Sequence, residues 1–200
     1  IIQNITVNGN VTSSDGTGAG NLRLGGDITI ATSTVTGNVT SGNGAPGGYS
    51  LAYGGAIHIT NSSVGAVQSG YGEDVYSSVA GWGGAITINN STFASVVSGH
   101  GGNSSIYMDG WGGPITITGD SVDLRGKTIT AGNPGLPVNG SYYIPSGTLT
   151  IAYTTQNGFQ TDSSTFFYNV SNLVINNASY GTWNGIFNPT GLFFNDQATG

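Results

Sequence analysis

The chain has 200 residues, enough for one or two domains, and only 6% of them are charged. With a net charge of −6 and Arg23, Arg125 and Lys127 as its only Lys or Arg residues, it lacks the cationic footprint that nucleic acid or an anionic membrane surface requires. No cysteine is present, which excludes disulfides and thiolate metal sites, and no apolar run approaches the ~20 residues of a membrane-spanning helix.

Residues 1–24 read as an irregular first coil. Asn4-Ile5-Thr6-Val7 resembles Asp27-Ile28-Thr29-Ile30 at an offset of 23, and Val11-Thr12-Ser13-Ser14 resembles Val39-Thr40-Ser41-Gly42. The chain opens on Ile1 without Met and without a secretory leader, as expected of a processed chain or an excised segment.

Residues 25–140 carry the organising pattern. Gly-Gly-Asp-Ile-Thr-Ile begins at Gly25, Gly-Gly-Ala-Ile-His-Ile at Gly54, Gly-Gly-Ala-Ile-Thr-Ile at Gly83 and Gly-Gly-Pro-Ile-Thr-Ile at Gly112, a step of 29 each time. A fixed period in this range predicts a stacked repeat fold. Alternating Ile-x-Ile has the two-residue period of a strand, and Ile and Thr suit a pleated surface. If each unit is one lap of a coil, successive copies lie side by side as parallel strands ~4.8 Å apart. Ile28, Ile57, Ile86 and Ile115 then form one inward ladder, and Ile30, Ile59, Ile88 and Ile117 a second. Two further registers share the step: Leu24, Tyr53, Trp82 and Trp111 before the glycines, and Val35, Val64, Phe93 and Val122 after the strand. The segments Asn61-Ser62-Ser63-Val64 and Asn90-Ser91-Thr92-Phe93 read as a second short strand, followed by a turn at Ser41-Gly42, Ser69-Gly70 and Ser98-Gly99. The paired glycines suit a corner where a Cβ would clash or φ is positive. The loops 72–81 and 100–110 are expected to project on one side, where binding would be placed.

The pattern loosens after residue 120. A strand at Ser146-Gly147-Thr148-Leu149-Thr150-Ile151 follows at an offset of 34, and residues 152–200 are expected to leave the register. That segment holds Phe159, Phe166, Phe167, Tyr168, Tyr180, Trp183, Phe187, Phe193 and Phe194. It reads as an aromatic β cap over the open end of the stack, with docking of a neighbouring subunit as the alternative. The sequence thus predicts an all-β parallel β-helix, or β-solenoid, over residues 1–151 and a cap or docking segment over 152–200.

Few residues invite chemistry. Asp120, Asp123, Arg125 and Lys127 form the one mixed-charge group of the kind a polysaccharide-cleaving β-helix enzyme would need, and a solvated ion-paired stretch is the simpler explanation of them. Glu73-Asp74 falls far short of a calcium site. His58 and His100 have no second ligand at metal spacing, and neither a nucleophile elbow nor a phosphate loop occurs. No catalytic residue, metal or cofactor is therefore predicted. Tyr71, Tyr76 and Tyr107 in the loops are candidate sugar platforms. The outward row Thr29, His58, Thr87, Thr116 invites an ice-binding reading, which His58 interrupts. Acceptor sequons occur at Asn4, Asn10, Asn38, Asn61, Asn90, Asn103, Asn139, Asn169 and Asn177. They are candidates for glycosylation, and an Asn-rich turn composition accounts for them as well.

The Gly-Gly-Ala-Ile-Thr-Ile strands, Asn-Ser-Ser/Thr-Val/Phe segments and Ser-Gly-x-Gly turns resemble the Gly/Thr/Asn-rich β-strand-repeat surface proteins of microbes, which are adhesin-like parallel β-helices. The resemblance covers about residues 4–151 and implies an extracellular fibre, envelope or adhesive role. The scarcity of Lys and Arg suits exposure to trypsin-type proteases. Self-association, head to tail or by strand addition at Ile1, Ile2, Ile5 and Val7, is the expected partnership, with surface glycans as a further one. A carbohydrate-active enzyme using Asp120, Asp123 and Arg125, or a carbohydrate- or ice-binding module, are the alternatives.

Overall fold

In the computed structural model the chain winds as a parallel β-helix. The structure describes residues 1–17, 22–45, 51–74, 81–103, 110–135, 147–156 and 158–176, with the backbone alone for 178–179 and 186–187. The largest sheet has eight strands in the order Ile2–Gln3, Ile28–Ala31, Ile57–Thr60, Ile86–Asn89, Ile115–Gly119, Thr148–Tyr153, Asn172–Ile175 and Ala178–Ser179. All its pairings are parallel except the last. Ile86 faces Ile57 on one side and Ile115 on the other, and Ile88 faces Ile59 and Ile117. Both expected isoleucine ladders therefore form, and Leu149, Ile151, Leu173 and Ile175 continue them. Ile57, Ile59, Ile86, Ile88, Ile115, Leu149, Ile151 and Leu173 have no exposed surface. Each such side chain contributes about 2 kcal/mol of transfer free energy, realised only because the next coil covers it.

A second face is built from very short pairings. Thr6–Val7 lies on Thr34–Val35, isolated bridges join Thr34 to Ser63 and Ser63 to Thr92, and Val122–Asp123 lies on Phe159–Gln160. The segments expected as a second strand around Val64 and Phe93 thus reduce to single bridges, although Val35, Val64, Phe93 and Val122 all point inward and are buried. A third face, not anticipated as a sheet, has seven strands: Val11–Thr12, Val39–Thr40, Val67–Gln68, Ser95–Val97, Thr128–Thr130, Phe166–Tyr168 and Ile186–Phe187. Its inward ladder is Val11, Val39, Val67, Val96, Ile129 and Phe167.

One expectation is corrected and another is refined. The first coil is not offset by 23. Ile2 pairs with Ile30, Val7 with Val35 and Val11 with Val39, so Asn4-Ile5-Thr6-Val7 belongs to the second face rather than beside Ile28. The described residues from 152 to 176 leave the 29-residue step, as expected, but they do not leave the stack. Phe159, Phe167 and Leu173 take the inward places above Val122, Ile129 and Leu149. Phe167 is completely buried and is a core residue, not a docking surface. Among the described residues, reversal comes where Ala178–Ser179 runs antiparallel to Val174 and Ile175, and Ile186–Phe187 antiparallel to Phe167 and Tyr168. Tyr180, Trp183, Phe193 and Phe194 lie outside the described residues.

The glycine corners are explained by close approach. A Cβ on Gly83 would land on the carbonyl of Gly99, and one on Gly99 on the carbonyl of Gly70; neither glycine has positive φ. Serines complete the corner. The buried Ser41 donates its hydroxyl to Gly55 O at 2.5 Å and accepts Gly70 N–H at 2.9 Å. Ser69 does the same with Gly84 O and Gly99 N–H, and Ser98 with Gly113 O and Gly132 N–H. Each hydroxyl ties together three stretches of backbone that would otherwise bury polar groups without partners.

Candidate functional site

The corner between the eight-stranded sheet and the second face is where the described surface is most distinctive. The chain leaves each of the first four strands of this sheet through a left-handed residue: Asn4, Thr32, Asn61 and Asn90 have φ of 57°, 49°, 49° and 44°. Asn tolerates this region better than other non-glycine residues, which is why it recurs here. After Thr32, Asn61 and Asn90 the next residue, Ser33, Ser62 or Ser91, turns inward, whereas Ile5 in the first coil is exposed. Ser62 donates to Thr60 O at 2.7 Å and accepts Ser33 N–H at 3.0 Å; Ser91 donates to Asn89 O at 2.6 Å and accepts Ser62 N–H at 3.0 Å. The residue after that, Thr6, Thr34, Ser63 or Thr92, turns out to solvent. The outcome is an open groove of about 820 Å³ crossing four coils, walled by these Asn, Ser and Thr side chains.

This geometry accounts for three sequons. In Asn4-Ile5-Thr6, Asn61-Ser62-Ser63 and Asn90-Ser91-Thr92 the Asn serves the left-handed corner and the third residue the outward bridge position; in the latter two the middle Ser makes the bond between coils. Asn10 and Asn38 form another ladder, Asn10 Oδ1 accepting Asn38 N–H at 2.9 Å and Asn38 Oδ1 accepting Ala66 N–H at 3.3 Å. Asn103 and Asn169 are partly exposed, and Asn139 and Asn177 lie outside the described residues.

The acidic residues are engaged in the same way. Asp27 accepts Ala56 N–H, Asp15 accepts Asn43 N–H and Asp74 accepts Asn103 N–H, each at 2.7 Å. A carboxylate in these places supplies the acceptor for the next coil's backbone. Partial burial, followed by repulsion from Asp74 and Asp15, raises the Glu73 carboxyl above its ordinary value. Among the described residues no group of three His, Asp or Glu is placed to hold a metal.

Asp123 and Arg125 come together as a bidentate ion pair, with Nε to Oδ1 at 2.9 Å and Nη2 to Oδ2 at 2.6 Å. Arg125 holds the Asp123 carboxyl below its usual range. Asp120 instead accepts the Thr154 hydroxyl at 3.2 Å and gives its carbonyl to Thr155. Asp162, which sequence reading left out of the group, accepts Gly126 N–H at 3.0 Å and Ser164 N–H at 2.9 Å. Lys127 Nζ stands 5.9 Å from the centre of the Phe93 ring. These contacts hold a charged turn around Gly126, and both oxygens of Asp123 are committed to Arg125.

Of the candidate sugar platforms, Tyr76 and Tyr107 lie outside the described residues. Tyr71 is stacked on His100 with ring centres 5.0 Å apart and receives Gln68 Nε2–H at 2.7 Å. Burial lowers the His100 pKa, and its Nδ1 accepts Asn133 N–H at 3.1 Å. The Trp82 and Trp111 rings stack at 5.6 Å and 13°, while Tyr53 meets Trp82 edge-on at 5.6 Å. Stacking along the coil axis covers one face of each paired ring. Thr29, His58, Thr87 and Thr116 do form one outward row, which Thr150 extends. The corner groove had one legible trace in the sequence, the equivalence of Asn61 and Asn90; that its walls meet depends on stacking. No protein-family model, no curated protein and no solved structure matches this chain.

Proposed function

We propose that the chain is an extracellular structural or adhesive surface protein, working as a rigid stacked segment of a filament or cell-envelope assembly rather than as a catalyst. The observation that carries this reading is the unbroken inward ladder from Ile2 through Ile30, Ile59, Ile88, Ile117 and Ile151 to Ile175. A core continuous along one axis resists bending, and each added coil lengthens it by about 4.8 Å. The scarcity of Lys and Arg supports a location exposed to proteases.

Self-association by strand addition is supported at the first coil. Ile2–Gln3 and Val11–Thr12 are the margins of the two large sheets, and Ile1 and Ile5 are exposed. At the opposite end antiparallel partners overlie the last parallel strands, which favours strand addition at the first coil over head-to-tail stacking. Sedimentation velocity and electron microscopy across a concentration series test the assembly. Elongated oligomers that Ile5→Lys dissolves without loss of β circular dichroism are expected. A strictly monomeric particle at the highest concentration would overturn it.

A further inference from the structure

We infer that the corner groove is a binding site for a neutral, extended, β-linked polysaccharide lying along the coil axis; this rests on the adhesive reading above and names its ligand class. The groove crosses four coils and has the volume of a small-ligand cleft, about 820 Å³, but is open along its length. Its lining contains Asn, Ser, Thr and the exposed Ile5, with no ionisable side chain. A charged polymer would find nothing there to neutralise it, which selects a neutral ligand.

The hydrogen-bonding capacity of the walls is partly unspent. The floor hydroxyls of Ser33 and Ser62 are consumed by Ala31 O, Thr60 O and the N–H groups of Ile5 and Ser33. The side-chain amides of Asn4 and Asn61 make no hydrogen bond within the described residues, and Asn90 uses its Oδ1 for Asp120 N–H. Each coil therefore offers solvent an amide, or Thr32 in its place, together with a hydroxyl from Thr6, Thr34, Ser63 or Thr92, although Thr92 spends its proton on Ser63 Oγ at 3.0 Å. The set repeats at the spacing of stacked strands, about 4.8 Å. A β-1,4-linked pyranose chain whose rise per sugar is close to that spacing turns over at each sugar, so it stays in phase with the coils and returns the same edge to every second one. An extended peptide advances about 6.8 Å for each pair of residues that returns a side chain to the same face, and so drifts out of phase. Affinity per sugar is low, because no aromatic face lines the groove, and accumulates over the four coils and over copies in an assembly.

The test uses the whole chain, produced in a host without N-glycosylation so that Asn4, Asn61 and Asn90 are bare. Cellohexaose and chitohexaose are titrated by isothermal calorimetry and by amide chemical-shift mapping. Binding of at least one hexasaccharide is expected, with shifts confined to residues 4–6, 32–34, 61–63 and 90–92. Asn61→Ala combined with Thr34→Val, which keeps the strand-compatible shape, should weaken it at least about fivefold. Tyr71→Ala should leave it unchanged. No binding by either sugar, equal binding of an extended Ser/Thr peptide, or binding lost in Tyr71→Ala but kept in the groove variant would each overturn the assignment. Sedimentation of the same samples separates the two readings, since assembly can persist when sugar binding fails and sugar binding can persist in a monomer.

Discussion

The coils from Gly25 to Gly113 and those from Asp120 to Ile175 have the same interior and different margins. In the first group the bonds that join equivalent places of adjacent coils span 28 to 30 residues, and the backbones approach so closely at the glycine corners that no Cβ fits. In the second the separation reaches 34 between Asp120 and Thr154 and 41 between Leu124 and Thr165. The extra residues are accommodated outside the core, in the Asp123–Lys127 turn among others. Gly126 there has a φ of +67° and open space around it. Yet Ile117 pairs with Ile151 as squarely as Ile88 pairs with Ile117. Strand pairing and inward side chains set the register, and lap length is free to vary so long as the surplus leaves the stack.

Glycine replacement should separate the two regions most strongly. Gly99→Ala places a methyl against the Gly70 carbonyl and should destabilise by about 3–5 kcal/mol in urea unfolding, whereas Gly126→Ala, strained but unobstructed, should cost about 1–2 kcal/mol. Equal losses would dissolve the distinction. Core truncation should show the regions alike: Ile88→Ala and Ile151→Ala, both wholly buried, should each lose about 2–5 kcal/mol, and an Ile151 loss below half that of Ile88 would mean the later coils are not the same core. Within the regular group, Thr32 is the one β-branched residue in the left-handed corner, and Thr32→Asn should stabilise by about 1 kcal/mol, read as a higher urea midpoint.

Acidification gives the smallest effects, and their signs differ. Burial depresses the His100 pKa, so the unfolded chain takes the proton first; the stabilisation is complete above the ordinary value of 6.5 and drains as pH falls through it. Glu73 has a raised pKa, so the folded chain takes that proton first and gains stability as pH falls through the raised value towards 4.5. Asp123 in the later turn is lowered by Arg125, so its contribution is full above 3.8 and is lost below it. In thermal melts His100→Gln should remove the first loss, Glu73→Gln the intermediate gain and Asp123→Asn the last loss.

Much of this architecture was open to reading in one dimension. The two isoleucine ladders, the aromatic register from Tyr53 to Trp111 and the inward places of Val35, Val64, Phe93 and Val122 all follow from identical residue types returning at one interval. The third face escaped notice because its strands are two or three residues long, too short for alternation to be visible. Phe159 and Phe167 were grouped with the tail because they are aromatic and off the 29-residue step, although they occupy ordinary core places.

The sequence by itself determined the lap, the inward side of each main strand and the need for glycine where laps touch, since each depends on a repeated local preference. Tertiary structure alone decided the phase of the first coil, how far the coils run beyond Ile151, and the groove between Asn4 and Thr92. Each of these depends on which residues a full lap apart come to lie side by side, and loops of unequal length hide that from any fixed spacing.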